Sequence, residues 1–513
     1  MTSTTENAAH YFVDRHLTEG RGDKTAYREA GTGRSLTFQQ MADGAERLAG
    51  ALLRAGIRPE ERVAMLVLDT VEFPQIFFGA LKCGVVPIPI NTLLAAPVYD
   101  AILRDSRASA LFVSAPLYQT IAPVLAENPY LRHVIVIGAA DIEGTEAFED
   151  FLQGAERVPT RPVSADETAF WLYSSGSTGQ PKGVQHVHSS LQATADTYGA
   201  HVLGLTEADR VFSAAKLFFA YGLGNALTFP LAVGATTILF AGRPTPVDMI
   251  ATLNAEKPTV FCGVPTLYAA MVAEMDKTGT PDAPLRRCIS AGEALPEDVG
   301  MRWEAHTDVA ILDGVGSTEM LHIFLSNRPD DLEYGTSGTA VPGYDMRLVN
   351  EAGAEVGDNE IGELLVNGAS SAAGYWNQRA KSRATFEGVW TRTGDKYERR
   401  PDGRYVYCGR TDDMFKVSGI WVSPFEVEQA LASHASVLEA AVVAARDAEG
   451  LEKPKAFVVL EGAAPEDLET LLIEHVKSRI GKWKYPRWIE IVEDLPKTAT
   501  GKIQRFKLRD GAE

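Results

Sequence analysis

The stretch 62-RVAMLVLD-69 holds six consecutive apolar residues between one basic and one acidic residue. An unalternated run of that kind predicts a strand buried on both faces, as in a parallel sheet covered by helices. The flanks agree. Thr37, with Gln40 three residues on, makes a capping box, and Leu48, Leu52 and Leu53 continue on one helical face. After the run, 73-FPQIFFGALKCG-84 reads as a helix, and 85-VVPIPI-90 and 132-RHVIVIG-138 as further strands. Strand and helix in alternation predict an α/β fold with parallel strands and crossover helices.

The pattern changes near 409-GRTDDMFKVSG-419. Beyond it, Ser423–Pro424–Phe425–Glu426 combines a cap, a first-position proline and a third-position glutamate, a strong helix start. Leu468, Leu471, Leu472, Val476 and Ile480 mark a second helix by spacing, and 437-VLEAAVVAA-445, 455-KAFVVL-460 and 488-WIEIVE-493 read as strands. This is a small α+β module of about a hundred residues. The expected division is 1–410 and 411–513.

A chain of 513 residues exceeds one compact domain. Its 68 acidic residues against 49 basic give a formal charge of −19, which argues against a nucleic-acid partner. A polyanionic small molecule must therefore be held by local donors. Cys83, Cys262, Cys288 and Cys408 form no CxxC pair, so neither a zinc site nor a disulfide framework is expected, and a reducing cytoplasm is the expected compartment. The N-terminus lacks a signal-peptide pattern. The uncharged 26 residues Leu217–Gly242 are long enough to span a bilayer, but four glycines, Pro230 and Asn225 interrupt them. A buried helix followed by the strand Ala235–Phe240 is the expected reading, with no membrane partner.

Four clusters carry chemistry. In 173-YSSGSTGQPKG-183, hydroxyls and glycines crowd ahead of Lys182, directly after the apolar 169-AFWLY-173. The glycines admit close backbone approach and the hydroxyls donate, which suits phosphate oxygens. The spacing is not that of a Walker A loop, and a plain Ser/Gly surface loop stays open. In 313-DGVGSTEM-320, Glu319 suits a hard cation and Thr318 a phosphate oxygen; an ordinary turn stays open too. In 391-TRTGDKYERRPDGRYVYCGRTDD-413, Asp395 suits vicinal hydroxyls and Arg410 a sugar or phosphate, against a salt-bridged surface loop. In 496-PKTATGKIQR-505, Lys502 is either a solvated basic residue or a lysine brought onto developing phosphate charge. His186 and His188 lack the acidic or cysteine company of a metal site and read as structural.

These motifs, in this order and over nearly the whole chain, resemble the acyl-adenylate-forming superfamily. It includes acyl-CoA synthetases, peptide-synthetase adenylation domains and firefly luciferase. The resemblance implies an α/β N-terminal domain of several subdomains and a small α+β C-terminal lid that rotates between two steps. In the first, a carboxylate attacks the α-phosphate of ATP; in the second, a thiol attacks the acyl-adenylate. Mapped by motif, Ser174, Ser175, Gly176, Ser177, Thr178, Gly179 and Lys182 belong to the triphosphate loop. Thr318 and Glu319 handle phosphate and magnesium, while Asp395 and Arg410 hold the ribose. Gly292, Glu293, Ala294, Asp313 and Gly314 line the adenine site. Asp412 matches the hinge, Lys502 the lysine of the adenylation step, and the loop around Lys416–Gly419 the thiol step.

The segments 216-KLFFAYGLGNAL-227 and 319-EMLHIFLSN-327, with the opening YFVDRHLTEGRGDKTAYRE, look most like the benzoate–CoA ligase group. By that resemblance Ala220, Tyr221, Gly222, Gly316, His322 and Ile323 line the acid pocket, and Phe219 takes the place of the aromatic gate. The implied substrates are ATP, coenzyme A and an aromatic acid, with magnesium. An aliphatic acid or a carrier-protein thiol is the rival. A chain ending at Glu513 without an appended carrier module favours a free thiol. Among assemblies, a homodimer stays open.

Overall fold

The computed structural model describes residues 6–139, 142–175, 181–417, 420–447, 449–462, 464, 467–481, 483–497 and 503–509. The chain forms two compact units: Met1–Asp345 with Val366–Thr391, and Met346–Leu365 with Arg392–Glu513. A pivot and an edge of compactness are different properties, so the division expected at residues 410 and 411 stands as a proposal about motion.

In the larger unit the run 62–69 forms the strand Arg62–Leu66, flanked on both sides in an all-parallel sheet of five strands. Its neighbours are Val86–Pro89 and Ala110–Ser114, followed by His133–Ile137 and Glu146–Ala147. Helix Phe38–Arg54 starts at the expected capping box: Thr37 accepts from Gln40 N–H and Gln40 from Thr37 N–H. Helix Glu72–Cys83 follows the strand Arg62–Leu66, with Phe73, Phe77 and Phe78 fully buried.

A second sheet has nine strands. Its parallel centre runs Ile311–Gly316, Arg287–Ala291, Val260–Gly263, Arg210–Ser213, Thr236–Leu239 and Thr25–Glu29, with antiparallel strands at both edges. Phe212, Phe261, Tyr268 and Trp303 pack on it as edge-to-face and tilted rings. Open parallel sheets bind ligands beyond the carboxyl ends of their strands. Gly263, Ala291 and Gly316 end such strands here. The third, antiparallel sheet pairs Thr168–Ser175 with Pro181–Val187 and the latter with Gly374–Tyr375.

The uncharged run 217–242 breaks into short helical segments between Ala220 and Val233 and then the strand Thr236–Leu239. Among the described residues no helix is long and apolar enough to cross a membrane.

In the smaller unit, Val437–Arg446 pairs antiparallel with Glu452–Leu460, which pairs parallel with Trp488–Ile491. Helices Pro424–Ala432 and Leu468–Ile480 close over one face through Val427, Leu431, Leu472 and Val476. The Ser423 hydroxyl accepts from Glu426 N–H, as the helix start predicted. A short helix, Arg505–Arg509, was not foreseen. All four cysteines are buried free thiols.

Candidate active site

The strands flanking the glycine-rich segment position Lys182. Ser174 and Lys182 are cross-strand partners in the hairpin of Thr168–Ser175 and Pro181–Val187. Lys182 Nζ donates to Glu319 Oε1 at 2.7 Å and to Tyr375 Oη at 3.1 Å, and Tyr375 Oη donates to the same Glu319 oxygen at 2.9 Å. The ammonium also lies 4.4 Å from the Tyr375 ring centre. Lys182 and Glu319 side chains are 13% and 14% exposed. Burial opposes both charges, but their mutual attraction outweighs it: the Lys182 pKa is raised and that of Glu319 lowered. Both groups therefore stay ionised. The Ser174 hydroxyl is buried and has no hydrogen-bond partner among the described residues. Ser175 ends its strand, whereas Gly176, Ser177, Thr178 and Gly179 lie outside the described residues.

Glu319 is held in place from behind. His186, fully buried, donates through Nε2 to the Thr318 carbonyl at 2.8 Å, and Ala372 N–H donates to the Glu319 carbonyl at 2.8 Å. Burial holds the His186 pKa down to about 4, so it works as a neutral donor.

Tyr375 was missed by sequence reasoning. It reaches Lys182 because Gly374–Tyr375 adds a third strand beside Pro181–Val187, with Tyr375 opposite Val184. Nothing in the local sequence GYW distinguishes it from a core aromatic.

The strand Ile311–Gly316 carries Asp313, Gly314 and Gly316. Asp313 is 6% exposed, and its Oδ1 has no partner among the described residues. Burial pushes its pKa well up, against the pull of the Leu295 and Gly314 N–H groups. Gly292 and Ala294 follow the adjacent strand Arg287–Ala291, and Gly292 has φ +101°, a conformation that favours glycine. Glu293, between them, is partly buried.

The predicted acid-site residues also gather. Phe219 caps the helical turn Ala220–Leu223, and its ring packs on Phe218. The Tyr221 hydroxyl reaches the carbonyl of Gly263, the last residue of its strand, at 3.1 Å and that of Ile289, in the middle of the adjacent strand, at 3.3 Å. His322 Nε2 donates to the Tyr221 carbonyl at 3.3 Å, and its ring lies among Tyr198, Tyr221 and Phe229. Burial lowers the His322 pKa to about 3, so it is neutral, and its Nδ1 has no partner among the described residues. Gly316 is required by close approach: a Cβ there would stand 2.4 Å from the His322 carbonyl oxygen. Ile323, next along, is buried.

In the smaller unit Asp395 and Arg410 are direct cross-strand partners of the hairpin Trp390–Arg399 and Tyr405–Arg410. Arg410 Nη1 donates to Asp395 Oδ1 at 2.9 Å and to the Thr393 carbonyl at 3.0 Å. Asp412 is exposed in the turn that follows. Lys416 lies in the strand Phe415–Val417; Gly419 and Lys502 lie outside the described residues.

Comparison with known proteins gives the family. Residues 14–376 match the AMP-binding enzyme family, and residues 426–502 match the AMP-binding enzyme C-terminal domain. A 4-hydroxybenzoate–CoA/benzoate–CoA ligase of Rhodopseudomonas palustris is 52% identical over 508 residues, covering 98% of this chain and 94% of the relative. A benzoate–CoA ligase of Thauera aromatica is 54% identical over 508 residues, covering 98% and 95%. Among solved structures, a benzoate CoA ligase from Burkholderia xenovorans LB400 superposes with a TM-score of 0.90 at 50% identity, covering 99% of this chain and all of that one. On these family matches and this full-length likeness, the chain belongs to the AMP-binding enzymes.

Proposed function

We propose that the chain is an ATP-dependent benzoate–CoA ligase, an AMP-forming acid–thiol ligase that works through an acyl-adenylate. The observation that carries the nucleotide chemistry is the Lys182–Glu319–Tyr375 cluster at the foot of the glycine-rich segment. The aromatic acid is supported by relatives more than half identical along the whole length that are benzoate–CoA ligases.

A carboxylate is a poor acyl donor because hydroxide leaves badly. In the first step a benzoate oxygen forms a bond to the α-phosphorus of ATP, and the bond to the β-phosphate oxygen breaks with its electron pair on pyrophosphate. In the second, the thiolate of coenzyme A attacks the acyl carbon and AMP departs. The difficulty of the first step is two anions approaching each other, which positioned cations offset. Lys182 holds triphosphate oxygens and Lys502 the charge developing at the α-phosphate. Thr318 donates to phosphate. Asp395 accepts from the ribose hydroxyls and Arg410 orients Asp395. Phe219, Tyr221 and His322 hold the ring in a slot of neutral groups.

Magnesium suits this donor set. Among the described residues no group of three or more His, Cys, Asp or Glu gathers. Magnesium commonly takes one or two carboxylates plus substrate phosphates, and Glu319 offers one. Bound there, it would supply charge neutralisation on the phosphates. Rotation at Asp412 would exchange Lys502 for the loop 416–419 between the two steps.

The test is a panel of aromatic and aliphatic acids, with coenzyme A or a carrier-protein thiol, scored by AMP release and thioester absorbance. Benzoate or a small ring-substituted benzoate with coenzyme A is expected to lead. Preference for a fatty acid or for the carrier thiol would overturn the reading.

A further inference from the structure

Asp69 and Lys216 are buried ionisable groups that the proposed chemistry leaves unused. Their side chains are 4% and 13% exposed, and their charged atoms stand 4.0 Å apart. Lys216 Nζ also donates to the Phe240 carbonyl, and Asp69 Oδ1 accepts from Leu217 N–H at 3.2 Å. Asp69 follows the strand Arg62–Leu66 of the five-stranded sheet; Phe240 and Lys216 follow two strands of the nine-stranded sheet. One aspartate and one lysine thus tie together chain leaving both sheets.

What they tie is the start of the acid-site turn. The Lys216 carbonyl accepts from Phe219 N–H at 3.0 Å. It also abuts Gly222 so closely that a Cβ there would stand 2.0 Å away. The span 217–222 is therefore pinned at its first residue by Asp69 and at its last by the Lys216 backbone. Phe219, Ala220, Tyr221 and Gly222 lie within it. Burial pushes the Asp69 pKa up to about 6, against the pull of Lys216 and Leu217 N–H, and pushes that of Lys216 down. A desolvated pair of this kind is a weak way to gain stability, and its best-attested use is to fix one arrangement.

We propose that Asp69 and Lys216 are positioning residues for the carboxylic acid, setting the place of the 217–222 turn without touching the substrate. The proposal rests on the functional reading above. Benzoate turnover by the unaltered chain tests that reading first, and an inactive wild type would sink the reading and not the pair; any acid the wild type does accept then serves for the variants.

The variants are Asp69→Asn, Lys216→Met and the double, in the full chain. Apparent KM for benzoate, ATP and coenzyme A and the melting temperature are measured for each. KM for benzoate is expected to rise on the order of 10–100-fold in each single variant. KM for ATP should stay within about twofold, and the double should be no worse than the worse single, since the two act as one unit. If Lys216→Met does not fold, Lys216→Gln, which keeps a donor toward Phe240, takes its place. An unchanged KM for benzoate, an equal rise for ATP, or additive losses in the double would overturn the proposal.

Discussion

The Lys182–Glu319 pair and the Arg410–Asp395 pair are made of the same chemistry and differ in the exposure of the cation and in how the chain brings the partners together. The first is 13% and 14% exposed and joins residues 137 apart; in the second Arg410 is 44% and Asp395 15% exposed, and the two lie 15 residues apart. The first exists only because the strand Pro181–Val187 is brought beside the turn that follows the distant strand Ile311–Gly316; the second follows from the register of one hairpin. A desolvated pair is stiff and costly to break, whereas a solvated one is weak but easily remade. We therefore assign the buried pair to the triphosphate and its counter-charge, where fixed geometry counts. The more exposed pair goes to the ribose, just ahead of the pivot proposed at Asp412.

Substitutions test that contrast. The largest effect is expected at Lys502, in Lys502→Ala. Adenylate formation should fall about 10²–10³-fold, the loss typical for one preorganised charge-stabilising donor. Thioester formation from supplied benzoyl-adenylate should change little. Equal losses in both half-reactions, measured by rapid quench, would remove the two-step role. Next is Lys182→Met, which strands a buried Glu319. It should destabilise the larger unit by about 3–5 kcal/mol in a urea titration and raise KM for ATP. If it behaves like an exposed pair, the contrast fails. Arg410→Ala should change stability by less than about 1 kcal/mol. Asp395→Ala should raise KM for ATP roughly tenfold, the worth of a hydrogen bond to a charged group.

The smallest effect is spread over pH. Burial holds His16, His186 and His188 to about 4 and His322 to about 3. Their folded pKa values lie below the unfolded value near 6.5, so the unfolded chain takes up protons first as pH falls. Stability from these groups is complete above about 6.5 and is lost on acidification toward about 4. Urea midpoints should therefore fall between pH 7 and 5. In His186→Gln, which removes the titrating ring behind Glu319 but keeps an amide donor, the slope should flatten by about one proton. An unaltered slope would mean that His186 is not held neutral.

The same contrast explains what could be read from the residues. The strand 62–66, the capping box at Thr37 and the helix starting at Ser423 are short-range patterns, and each appears where expected. The spacing of Leu468, Leu472 and Val476 marked their helix for the same reason. Tyr375 was illegible because its role depends on pairing with a strand 193 residues earlier. The Asp69–Lys216 pair, 147 residues apart in sequence, was hidden likewise, as was the placing of residues 346–365 with the smaller unit. In 62-RVAMLVLD-69 the aspartate reads as the end of a strand; only the fold gives it a lysine.

The account depends on an acid acquiring a nucleotide leaving group. The direct measurement is exchange of labelled pyrophosphate into ATP by the purified chain, with magnesium and without coenzyme A. Exchange that appears only when benzoate or a close aromatic acid is added is the expected result. Exchange that ignores the acid, or none with any acid, would contradict it.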